Sequence, residues 1–138
     1  MPISFRVDPH RRLIRTTHVG AITLPELMTY VGQLVEQGLF SHAQLIDGRA
    51  ATLQLTAEET REFAAQIASL RAVYGQAPVA FVAGNAASYH VAVDYADVGV
   101  GSKPFQVFAD VAAAEVWIEL SGGEASRGRK RANRRPTG

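Results

Sequence analysis

Residues 78–83 read Pro-Val-Ala-Phe-Val-Ala and are followed by Gly84-Asn85. A run this short and this apolar suits a strand buried on both faces, as in a parallel sheet covered by helices. A parallel sheet needs crossovers, so helices should flank the run on either side. Upstream, Thr56 and Glu59 have the spacing of a capping box and open a helix whose stripe is Phe63, Ile67, Leu70 and Tyr74, with Gly75 as its stop. Downstream, Ala86 to Val98 reads as a helix and Gly99 to Lys103 as a loop. Pro104 to Ala109 reads as a fifth strand.

The same pattern extends to both ends. Ile3, Phe5 and Val7 alternate with Ser4, Arg6 and Asp8, which indicates a half-buried strand. Asp8 to Arg12 is a polar turn containing Pro9, and Leu13 to Val19 is the second strand of an antiparallel hairpin. Thr23, Pro25 and Glu26 start a helix with Leu24, Leu27, Met28, Val31, Leu34 and Val35 on one stripe, stopping at Gly38. Ala43 to Asp47 is a third strand, ended by a tight turn at Gly48. Asp110 caps a last helix with Ala113, Val116, Trp117 and Leu120 inward, closed by Ser121-Gly122-Gly123. The order is ββαβαβαβα. It predicts an α/β domain over residues 1–120 with a five-stranded mixed sheet and right-handed crossovers.

Charge divides the chain. Residues 1–120 hold eight basic and twelve acidic side chains, a net −4, whereas 121–138 hold six basic and one acidic, a net +5. The tail contains no aromatic and no aliphatic side chain larger than Ala, so it is expected to be disordered. Its arginines suit weak, nonspecific contact with a polyanion, without the aromatic residues that stack on bases. The absence of Cys excludes disulfides, thiol nucleophiles and Cys-ligated metals. No apolar run reaches the roughly 20 residues of a membrane span. A cytoplasmic protein without integral membrane association is expected.

Few residues point to chemistry. His90 and Asp94 lie four apart on the third helix, with Asp97 one turn on. Such a face can orient a base or contribute to a metal site, but no second ligand motif completes it. Tyr89 and Tyr95 on that helix are candidates to line a groove for an apolar ligand. Asp47 and Arg49 sit at the carboxyl end of a strand, where open α/β sheets gather ligands. Thr56 stands at a helix N-terminus, where an added phosphate is electrostatically favoured. His10, His18 and His42 have no carboxylate in local register, and no Gly-x-Ser-x-Gly elbow occurs. No cofactor or metal is implied.

The stretches FRVDPHRRLIRTTHVGAIT (5–23), LIDGRAATLQLTAEETREFA (45–64), VAFVAGNAASYHVAV (79–93) and FQVFADVAAAEVWI (105–118) resemble the STAS-like (SpoIIAA-like) superfamily. This is the fold of bacterial anti-sigma-factor antagonists. The resemblance is to a branch of small bacterial proteins grouped with STAS and CRAL-TRIO domains. It implies a non-enzymatic protein-interaction module, switched by phosphorylation of a Ser or Thr that starts the second helix. Thr56 falls near that position, although Leu55 replaces the motif's Asp and Ala57-Glu58 follow. Asp47 fits the family's acidic position. The CRAL-TRIO side implies lipid or apolar-ligand binding in a small pocket of a few hundred Å³.

Three readings result. The first is an interaction module using Asp47, Arg49 and Thr56, with a protein partner or a second copy of the chain as a homodimer. The second is a small lipid- or apolar-ligand-binding domain using Tyr89 and Tyr95. The third is a His- or metal-dependent hydrolase using His90 and Asp94, which needs another ionisable group converging on His90.

Overall fold

The computed structural model describes residues 2–98 and 104–121. The expected loop at 99–103 and the basic tail beyond Ser121 lie outside the described residues. Strand β1 (Ile3–Asp8) pairs antiparallel with β2 (Leu13–Ile22). Strands β3 (Ala43–Leu53), β4 (Val79–Ala83) and β5 (Phe105–Phe108) follow in parallel, giving one mixed sheet in the order β1-β2-β3-β4-β5. All five residues of β4 are buried, as its apolar run requires.

Each parallel strand is added on the same side of the one before. Right-handed crossovers then place helices α1 (Leu24–Glu36), α2 (Ala57–Tyr74) and α3 (Ala86–Val98) on one face. Their side chains Leu34, Ile67 and Tyr95 bury that face together with Ile14, while Ile46 and Phe81 pack with Leu27 and Ala92. A fourth helix, α4 (111–121), follows β5 and is not a crossover. It covers the opposite face, where Ala114 and Ile118 pack on Leu13, Leu45, Ala80 and Val82. The bidentate pair from Arg15 to Glu115, at 2.5 and 3.2 Å, and a second pair from Arg11 to Glu119 tie α4 to the β1–β2 hairpin.

Three expectations are corrected. Strand β3 does not end at Gly48 but continues to Leu53. Thr17 pairs with Asp47 while Val19 pairs with Ala50, so Gly48 and Arg49 together stand opposite His18. This is a β-bulge, and it reverses the alternation of β3. Ile46 faces α1–α3 before the bulge, and Ala51 and Leu53 face them after it. A bulge also explains the glycines: a Cβ on Gly48 would lie 2.7 Å from the Phe81 ring, and one on Gly84 would lie 2.2 Å from the Arg49 carbonyl oxygen.

The inward face of α2 is Thr60, Ala64, Ile67 and Arg71; of the expected stripe Phe63 and Leu70 pack half-buried against the same core, and only Tyr74 is left exposed. That of α4 is Ala114 and Ile118, while Val116 and Leu120 are 57% and 60% exposed. Both helices are rich in small and apolar residues, so two overlapping stripes satisfy the helical period and the packing partner selects one.

Candidate functional site

The bulge positions two different sites, one on each face of the sheet. On the α4 face, the Asp47 carboxylate accepts from Arg49 Nε and Nη2, both at 2.9 Å, and from the Arg49 backbone N–H at 3.1 Å. Donation from the Arg49 guanidinium holds the Asp47 carboxyl below the usual carboxylate range. Arg49 is exposed and Asp47 half-buried, so the pair is a rigid, solvent-facing charge couple that contributes little to stability.

Among the described residues, none covers the sheet around this pair. One helix about 10 Å across shields about two strands spaced about 4.8 Å apart. Helix α4 therefore leaves the β1 side of the far face open. An open depression of about 310 Å³ is lined there by Ser4, Arg6, Arg15, Thr17 and Asp47, with Val111 of α4 as one wall. It adjoins a second, of about 290 Å³, over Thr17, Asp47, Arg49 and Ala50.

Thr56 is the exposed N-cap of α2. Its Oγ1 accepts from the Glu59 backbone N–H at 3.0 Å, and the Glu59 carboxylate accepts from the Thr56 N–H at 2.9 Å. Among the described residues no hydrogen bond or ion pair joins Thr56 to Asp47 or Arg49. Gly84-Asn85 forms no open anion cradle. Asn85 caps α3 through the Ser88 N–H at 2.8 Å and donates to the Ala51 carbonyl and Thr52 Oγ1. The buried Ser88 hydroxyl accepts from the Leu53 N–H at 2.9 Å, which locks α3 onto the end of β3.

The other residues singled out on α3 do not converge. His90 and Asp94 are exposed, and no side-chain hydrogen bond or ion pair links either to another described residue. No group of three His, Asp or Glu among the described residues can hold a metal ion. The convergence that the hydrolase reading requires is thus missing there. Tyr89 is 42% exposed, whereas Tyr95 is buried against Phe63 at 5.5 Å and Phe105 at 4.8 Å. Six residues at about 100° per step place them about 120° apart, so they cannot line one groove. Burial pushes the Tyr95 hydroxyl up to about 12.

On the helix-covered face, opposite the bulge, the structure reveals a residue that sequence reasoning passed over. His18 is 1% exposed, and among the described residues neither ring nitrogen has a hydrogen-bond partner. Its ring meets Phe81 edge-on at 5.8 Å. Desolvation lowers its pKa to about 4, partly opposed by the Asp47 charge, so it is neutral at pH 7. It lines two adjoining cavities of about 60 Å³ each, both also bounded by Leu27, Ile46, Phe63, Tyr95 and Phe105. No local motif announces such a residue, because its surroundings come from six separate elements.

No helix among the described residues is long and apolar enough to cross a membrane. The chain matches no family model, no curated protein and no solved structure.

Proposed function

We propose that the chain is a non-catalytic protein-interaction module of the STAS-like type, docking a protein partner on the open part of the far sheet face. The observation that supports this reading is the pair of shallow, continuous depressions over Ser4, Arg6, Thr17, Asp47 and Arg49. They are open and of mixed polarity, which suits a macromolecular surface better than an enclosed small molecule. The bulge gives that surface a fixed shape. Thr56 lies apart from it as an exposed hydroxyl, the phosphoacceptor that the STAS-like resemblance implies.

Native mass spectrometry of protein purified from its own host tests this. A partner, or a second copy of the chain, should accompany the wild type and be lost from Thr17→Arg at unchanged melting temperature. Recovery of the bare monomer, or equal retention by the variant, overturns the reading. Intact mass of the same preparation should show a phosphorylated fraction that Thr56→Ala removes.

A further inference from the structure

The end of the sheet where the parallel strands begin carries surface that the far-face docking site does not use. Strands β2 to β5 start there, beside the turn between β1 and β2. Helices α2 and α4 run back from the opposite end and finish there. Tyr74, the last residue of α2, meets Phe40 edge-on at 6.0 Å just before β3. In the last turn of α4, Glu119 pairs with Arg11 of the β1–β2 turn. Burial and the neighbouring Arg12 charge hold the His42 imidazole below its usual range, which places Arg12 beside the start of β3.

Two kinds of side chain gather at this end. Val73 and Leu120, 74% and 60% exposed, are the most exposed large apolar side chains among the described residues. The exposed Tyr74 adjoins Val73, and Val116 lies one turn before Leu120 on the same face of α4. Apolar side chains scattered singly over a surface need no partner, but these share their end of the molecule with cations. Arg12 is exposed, with no side-chain hydrogen bond or ion pair among the described residues. Beyond Ser121, where α4 ends, the sequence continues with Arg127, Arg129, Lys130, Arg131, Arg134 and Arg135. Against them stand Asp8, Glu36 and Glu119 at this end and Glu124 in the tail, and Arg11 already neutralises Glu119.

Exposed aliphatic side chains beside a dense cationic segment fit a lipid surface. The apolar tips enter the boundary between headgroups and acyl chains, and the cations meet anionic headgroups. One such signal binds weakly, whereas two together give stable peripheral attachment. A nucleic acid satisfies the cations but offers no apolar layer for Val73 and Leu120, and the tail has no aromatic residue to stack on bases. The two apolar groups also belong to opposite layers, α2 on one face of the sheet and α4 on the other. A broad plane laid against the end of the molecule reaches both, as a bilayer does.

We infer that this end of the protein docks peripherally on an anionic lipid surface. Val73, Tyr74 and Leu120 enter the headgroup boundary, while Arg12 and the basic residues of 127–135 meet the headgroup charges. None of these described side chains lines the depressions over Thr17, Asp47 and Arg49, so either proposal can fail without the other.

Co-sedimentation of the full chain with lipid vesicles tests it. Vesicles of phosphatidylcholine with about 30% phosphatidylserine should bind the chain at least about tenfold more tightly than phosphatidylcholine alone. Raising salt to about 0.5 M should release most of it. The double variant Val73→Ser/Leu120→Ser should bind the mixed vesicles about tenfold more weakly at unchanged melting temperature. Deleting residues 122–138 should weaken binding by at least as much. Absence of binding, equal binding to both vesicles, or wild-type binding by the double variant overturns the proposal. Tighter binding to a single-stranded RNA than to the mixed vesicles overturns it too, in favour of a nucleic acid. If the double variant melts early, Val73→Ser alone decides, and it too should bind more weakly than wild type.

Discussion

At Gly48 and Gly84 a single atom decides whether the bulge can form. A Cβ on Gly48 meets the Phe81 ring at 2.7 Å and the Val82 carbonyl oxygen at 2.8 Å, and neither can move without disturbing β4. Gly48→Ala should therefore cost about 1–3 kcal/mol in urea unfolding. Gly84→Ala, aimed at backbone 2.2 Å away, should cost at least as much. His18 makes its own prediction. Its folded pKa of about 4 lies below the reference 6.5, so the unfolded chain binds the proton first as pH falls. Stability is full above about pH 6.5 and declines towards pH 4, by about 3 kcal/mol in total. Tyr30, Tyr95 and Arg71 share that space but do not titrate in this window. Urea midpoints from pH 7 to 4 should fall more steeply for wild type than for His18→Phe, and parallel slopes would refute it. The sequence shows all these residues and none of these constraints.

Elements begin where short-range chemistry says they should. The Thr23–Glu26 and Thr56–Glu59 boxes start α1 and α2 as the sequence predicts, because a cap involves only residues three apart. Thr56→Ala should lower stability by about 1 kcal/mol in thermal or urea unfolding, while Thr56→Ser should not. Which face a helix buries is less legible. In α4, Val-Ala-Ala-Ala-Glu-Val-Trp-Ile-Glu-Leu over 111–120 contains overlapping apolar stripes, and contact with Leu45, Ala80 and Val82 selects Ala114 and Ile118. Ile118→Ala should cost about 2–4 kcal/mol and Leu120→Ala under about 0.5 kcal/mol. The reverse order would mean that α4 docks on the other stripe. Strand β3 was half legible. Its alternation breaks at Gly48, which looks like an end until β2 and β4 are seen to pair on either side of it.

At the scale of the molecule the two faces of the sheet differ in cover, with three helices on one and one on the other among the described residues. The near-zero formal charge conceals a body at −4 and a segment at +5. Deleting residues 122–138 should abolish retention on a heparin column and leave the melting temperature unchanged. Retention by the truncated chain would place the polyanion contact on the body instead.

Local information was sufficient for the order of elements, the mixed sheet and the two helix starts, because period, caps and breakers act over a few residues. It singled out Asp47 and Arg49 as lying at a strand's carboxyl end, whereas they stand at a bulge inside β3, which runs on to Leu53. It could not distinguish a bulge from a strand end, nor choose between two stripes on one helix. It separated neither Tyr89 from Tyr95 nor His18 from the other histidines. Those outcomes depend on what stands across the sheet or beneath a helix, and only tertiary structure brings distant residues there. His18 is the clearest case: an ordinary residue of a β-strand until β3, β4 and three helices close over it and remove its water.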